Sequence, residues 1–193
     1  MSHQTLPLNT SHLTLRAVQP GDRPFFYQLY SDWQVTQYLL RTPAPFTQAH
    51  ARAFVDAAME GLCQGHTYTL VIELSGLEQA IGVITLRIPS QDASTPEGER
   101  EEDQGLGILG YSLLPSMWGH GYASESAQRV VRFAFDELQL DRIQASTLKR
   151  NIASRRLLER IGFTIVEADT LEEPLHGGRP QPGDCYMLVR SQI

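Results

Sequence analysis

Two glycines separated by one residue, Gly119-His120-Gly121, stand between a strand-like run and a long amphipathic run, and this arrangement suits anion binding. Glycine lacks a Cβ, so its backbone approaches a ligand closely and adopts positive φ without strain. The first amides of the helix that follows have no carbonyl partner inside the helix and converge on one point. His120, Gly121, Tyr122, Ala123 and Ser124 would supply those donors to a phosphate or pyrophosphate. The same spacing also serves a plain chain reversal ahead of a helix, and at this level both readings stand. Three familiar phosphate loops do not fit. No Gly-Lys-Ser/Thr triplet follows, no third glycine stands near Ser124, and the lysine, His-Arg-Asp and Asp-Phe-Gly elements of a kinase are missing.

The elements that must carry this turn can be read from periodicity. Leu13 to Ala17 alternates as a strand, and Pro20-Gly21-Asp22 breaks it. Pro24 to Leu40 has a helical pattern with a break near Ser31-Asp32, and Thr47 caps a further helix that buries Ala51, Phe54, Val55 and Ala58. Thr67 to Leu74 and Ile81 to Ile88 form an antiparallel hairpin about Ser75-Gly76. The run 89–105 carries six carboxylates against Arg100 alone and reads as a solvated loop that can face a substrate. Leu106 to Leu114 is a strand, Ala123 to Leu138 a strongly amphipathic helix, and Arg142 to Leu148 a strand. Asn151 to Ile161 is a helix ended by Gly162, and strands at Phe163 to Glu167 and Tyr186 to Arg190 flank a Gly- and Pro-rich loop from His176 to Gly183. With no repeat and no linker, a single domain over 1–193 with its core at about 12–190 is expected, of α+β class.

Composition narrows the partners. The 193 residues are 41% hydrophobic and 20% charged, in the range of ordinary globular domains. Sixteen Lys and Arg against 22 Asp and Glu give a net charge of −6, the wrong sign for a nucleic-acid binder. No run of about 18 apolar residues offers a membrane span, and Met1 to Asn9 does not read as a signal peptide, so a cytoplasmic protein is expected. Cys63 and Cys185 make neither a disulfide framework nor a metal spacing, and no metal is expected.

Joined to the later helix, the glycine turn becomes specific. Leu113 to Glu125, with Trp118-Gly119-His120-Gly121-Tyr122-Ala123 at its centre, resembles the acyl-CoA motif of the GNAT superfamily of N-acetyltransferases. It is most similar to the branch that acetylates ribosomal-protein alanine or serine N-termini and small amines. Asn151, Ser154, Glu159, Gly162 and Phe163 resemble that branch's Asn-x-x-Ser-x-x-x-x-Glu-x-x-Gly-Phe segment, and Leu13 to Ala17 and Trp33 to Tyr38 are similar as well.

The resemblance implies a mixed, twisted, mostly antiparallel sheet flanked by helices, whose fourth strand (Leu106 to Leu114, bulged) and fifth strand (Arg142 to Leu148) splay apart. Acetyl-CoA would lie in that gap, its pantetheine arm on the backbone of Leu113 and Leu114 and its pyrophosphate on the amides from Gly119 to Ser124, beside Trp118. Asn151, Ser154, Arg155 and Leu158 share a helix face. Asn151 would cap the helix, bind pantetheine amides, or do both. Ser154 would stabilise or protonate the leaving thiolate, and Arg155 or Arg156 would meet the 3′-phosphate or simply form a solvated face. Trp33, Tyr38, Tyr111 and the loops 89–105 and 176–183 would shape the acceptor pocket of a direct acetyl transfer to a primary amine.

Two departures stand out. Leu158 replaces a tyrosine that often serves as the acid, and Ile108 replaces a glutamate that often helps deprotonate the amine. The base is left open among water, Tyr38, His66, His176 and the acidic run. These departures keep a coenzyme A-binding module without transferase activity, or a purely structural subunit, in play. The chain would act as a monomer or homodimer, with acetyl-CoA and an amine as partners.

Overall fold

A computed structural model describes residues 6–89, 104–172, 174 and 178–192. Most of the acidic run at 89–105, and His176, lie outside the described residues. The strands are β1 (Leu8–Asn9), β2 (Leu13–Ala17), β3 (Thr67–Leu74), β4 (Gln79–Arg87), β5 (Leu106–Leu113), β6 (Arg142–Leu148), β7 (Thr164–Glu172) and β8 (Gln181–Val189). The helices are α1 (Arg23–Ser31), α2 (Trp33–Thr36), α3 (Gln48–Gln64), α4 (Tyr122–Arg132) and α5 (Ile152–Arg160). The strands form one open sheet in the order β1-β2-β3-β4-β5-β6-β8-β7, antiparallel throughout except for β5 and β6. This is the expected α+β arrangement. The short β1 shifts the numbering, so the expected fourth and fifth strands are β5 and β6.

Strand alternation sorts the core onto two faces. Tyr68, Leu70 and Ile72 of β3, Ile84 and Leu86 of β4, and Leu109 and Leu113 of β5 join Ala127, Val130 and Val131 of α4 and Leu157 and Leu158 of α5. Val71 and Val83 face the opposite way, against Phe26 and Leu29 of α1, Val35 of α2 and Ala51, Val55 and Ala58 of α3. Local signals place the helix ends. Asp32 Oδ1 accepts from Gln34 N at 2.8 Å and starts α2 at the expected break. Thr47 Oγ1 accepts from His50 N at 3.2 Å, while the His50 ring accepts from Thr47 N.

Three expectations change. The ladder between β4 and β5 keeps one register from Gly82↔Leu113 to Arg87↔Ile108, so the expected bulge is not there; register shifts fall between Ile72 and Glu73 and within β7. The helix from Tyr122 loosens into a π-helical turn at Phe133–Glu137 rather than running regularly to Leu138. Finally, Gln181 to Gly183, expected in a loop, belongs to β8, where Gly183 pairs with both Leu148 and Thr170. Pro and Gly suggested a loop, but pairing on two sides satisfies the backbone there. Among the described residues, no helix is long and apolar enough to cross a membrane.

Candidate active site

The sheet opens where β5 and β6 part. They pair only from Leu106↔Arg142 to Ile108↔Gln144, although β5 runs on to Leu113 and β6 to Leu148. Beyond the sheet's last β4 pairing, Leu114 N donates to Ile81 O at 2.9 Å. Backbone groups alternate sides along a strand, so the amides of Leu109, Tyr111 and Leu113 turn toward the gap. A cleft of about 510 Å³ occupies it, lined by β5, the turn into α4, the start of α5 and the segment after α2.

The turn into α4 is built to leave donors free. Gly119 has φ +80° and Gly121 φ +83°, and a Cβ at either would meet no protein atom within 4 Å. Gly121 is the N-cap of α4 and gives no side-chain capping bond. The first bond of the helix runs from Glu125 N to Gly121 O at 3.0 Å, so the amides of Tyr122, Ala123 and Ser124 lie ahead of it. All three residues line the cleft with Gly119, Gly121 and Trp118. The Trp118 indole donates to Leu113 O at 3.0 Å and thereby ties the turn to the end of β5. Glu125 ties it to the β1–β2 turn, accepting from His12 N at 2.9 Å and bonding its ring Nδ1 at 3.0 Å. Burial alone would raise the Glu125 carboxyl, but bonds from Thr10 and His12 outweigh it and hold the group below its ordinary range.

The start of α5 is organised differently. Asn151 Oδ1 accepts from Ser154 N at 3.2 Å and caps the helix. Both residues line the cleft. Ser154 Oγ lies 2.9 Å from the Tyr111 hydroxyl, a contact between α5 and β5. Burial pushes the Tyr111 phenol up to about 12, against a smaller lowering from Ser154. Leu158 is only 1% exposed and belongs to the core.

Three of the expected site residues, Leu114, Arg155 and Trp33, are placed elsewhere. Leu114 does not line the cleft, and its amide and carbonyl are engaged by Ile81 O and Met117 N. The His120 ring is exposed and stacks on Tyr122, with centroids 5.5 Å apart. Arg155 turns to β8, its Nε 3.4 Å from the buried Asp184 carboxylate and 3.3 Å from the Tyr186 hydroxyl. Arg156 and Arg160, one helical turn apart, line the cleft instead. Trp33 opens α2 with 71% of its surface exposed and takes no part in the lining.

Tyr38 does line the cleft, with Val35, Leu39 and Ser112. Ser112 points to the α1 side, where it bonds the buried Tyr30 hydroxyl, whose ionisation burial raises above its ordinary range. The Arg150 guanidinium lies 5.5 Å from the Tyr38 ring centre and donates to the Gln37 carbonyl, bridging the two walls. Ser112 and Arg150 carry no motif that sequence reasoning could pick out, although Arg150 directly precedes the Asn151 segment. Among the described residues that line the cleft there is no Asp, Glu or His. His66 lies outside the lining, bonded to Thr67 and Gln64. Chemically, the cleft offers bare amides for an anion at one end, strand-edge amides along its length and a hydroxyl pair where the strands part.

Comparison with known proteins agrees with this geometry. The sequence profile described as acetyltransferase (GNAT) domain matches residues 12–164. The uncharacterized N-acetyltransferase p20 of Bacillus licheniformis is 30% identical over 161 residues, 81% of each chain. Two solved structures share the fold at low identity. RimL, a ribosomal alpha-N-protein acetyltransferase in complex with coenzyme A, superposes with a TM-score of 0.78 at 20% identity, covering 97% of this chain and 99% of its own. The spermidine N-acetyltransferase of Vibrio cholerae, in complex with CoA and spermine, gives 0.75 at 21% identity, with 95% and 98% covered.

Proposed function

Since this chain belongs to the GNAT acetyltransferase family and is an acyltransferase, we propose that it transfers acetyl from acetyl-CoA directly to a primary amine, a protein N-terminus or a small molecule. The observation that carries this reading is the uncapped start of α4, opening on the same cleft as the free edge of β5. The residues present fit the coenzyme. The amides of Tyr122, Ala123 and Ser124 would hold the pyrophosphate. Arg156 and Arg160 would face its remaining phosphate.

Bound acetyl-CoA supplies an acyl carbon activated as a thioester. The Leu113 amide, turned into the gap, would hold the carbonyl oxygen as charge builds on it. Ser154 would hydrogen-bond the departing sulfur. Tyr38, Val35, Leu39 and Arg150 would receive the acceptor. With no carboxylate or imidazole among the described lining residues, the amine would bind neutral and shed its proton to water. Arg150, whose guanidinium lies 5.5 Å from the Tyr38 ring centre, favours an acceptor with a carbonyl or carboxylate near its amine over a polycation. A cytoplasmic setting and a single domain spanning 1–193 complete this reading.

Thiol release from acetyl-CoA, followed with a panel of peptides, amino acids and polyamines, tests it. Amine-dependent release with acetylated product is expected, and peptides should outrun spermidine. Release without acetylated amine would refute the transfer.

A further inference from the structure

Tyr111 lies on β5 with Leu109 and Leu113 on either side, two residues away each, so all three share the face toward α4 and α5. Leu109 and Leu113 are buried in that core, whereas Tyr111 packs against it half-buried, lines the cleft and brings its hydroxyl to α5. There it lies 2.9 Å from Ser154 Oγ and 3.5 Å from Ser154 O. The Asn151 cap holds the Ser154 amide and the phenol contacts its Oγ, which leaves the rotation of the hydroxyl hydrogen to be decided. A hydroxyl both donates and accepts, and which it does toward Tyr111 determines where its hydrogen points.

We propose that Tyr111 is a positioning residue that acts through Ser154: the phenol donates to Ser154 Oγ and leaves the serine hydrogen to point at the departing sulfur. This rests on the acetyl-transfer reading of the cleft and deepens it. Leu158, one turn along α5, is buried and offers no hydroxyl, and a hydroxyl from β5 stands behind the serine. Burial keeps the phenol protonated, as a donor must be. In the step, a C–N bond forms as the C–S bond breaks. The nitrogen sheds one proton to water and the thiolate, stabilised by the Ser154 hydrogen bond, takes one from water, so both hydroxyls end the cycle as they began.

Turnover, KM and acetyl-CoA affinity of Tyr111→Phe, Ser154→Ala and the double variant test this. Phenylalanine keeps the ring and removes one oxygen. Tyr111→Phe should lower kcat about tenfold, the worth of one well-placed hydrogen bond, and leave acetyl-CoA affinity unchanged. The double variant should be no slower than Ser154→Ala, because the phenol works only through the serine. Losses that multiply, or an unaltered kcat in Tyr111→Phe, overturn the proposal while the transferase reading stands. A parent enzyme that turns over no amine overturns both.

Discussion

Two helices begin at the same cleft, and they treat their free amides in opposite ways. At α4 the N-cap is Gly121, in the left-handed region at φ +83° and with no side chain to offer. At α5 the N-cap is Asn151, whose carbonyl oxygen satisfies the Ser154 amide. A helix start that satisfies itself is rigid and gives up its appetite for anions; one left bare is a site. The first arrangement aims a side chain, and the second binds a charge. The same cleft wall therefore holds a placed hydroxyl and, at the start of α4, amides that no side chain caps.

The contrast is sharpest at Gly121. Gly121→Val puts a β-branched residue at positive φ and its side chain into the open space beside the turn, a strain of about 1–3 kcal/mol before any steric clash. Acetyl-CoA affinity measured by calorimetry should fall on the order of 100-fold; an unchanged Kd would break the comparison. At the other helix the expected loss is of stability first. Asn151→Ala should cost about 1 kcal/mol, or roughly 2–4 °C in melting temperature, and lower kcat as Ser154 loosens. Asn151→Asp should restore the melting temperature yet weaken acetyl-CoA binding through its charge. If both variants melt alike, capping is not what Asn151 does.

Trp118→Phe keeps a ring but removes the 3.0 Å bond to Leu113 O that ties the glycine turn to β5. Because Trp118 is 42% exposed, the bond should be worth the low end of the usual range, about 0.5 kcal/mol, read as a small rise in the acetyl-CoA Kd. The weakest effect concerns Glu125, which holds the first turn of α4 to His12. Its folded carboxyl lies below the ordinary value of 4.5, so unfolding takes up protons as the pH falls. The stabilisation is present above that value and lost below it. Solvent screening keeps it under about 1 kcal/mol. Melting temperatures of the parent and Glu125→Gln should differ at pH 7 and converge in acid. Parallel curves would mean that Glu125 does not anchor the turn.

The two helix starts are legible in the sequence because each is a local matter. A Gly-x-Gly ahead of an amphipathic run, and Asn three residues before Ser, state their backbone geometry within a single turn of chain. Most strands are legible for the same reason, since alternation and β-branching act over a few residues. Expectation and structure diverge where pairing overrides composition. Gln181 to Gly183 looks like a loop by its residues, yet two neighbouring strands take it into the sheet.

What the sequence determined on its own, then, was the glycine-led start of α4 and the Asn151 cap of α5, and through the spacing of both motifs the family to which they belong. What only the tertiary structure decided was which side chains meet inside the cleft. Tyr111 reaches Ser154 across 43 residues, and Arg150 reaches Gln37 across 113. Arg155 and Arg156 look equivalent in the chain, but Asp184 on β8 draws Arg155 away and leaves Arg156 to line the cleft. The Leu114 amide goes to Ile81 because the β4 register assigns it there. Each of these partners is set by strand register and by the point where β5 and β6 part, and no short stretch of sequence contains either.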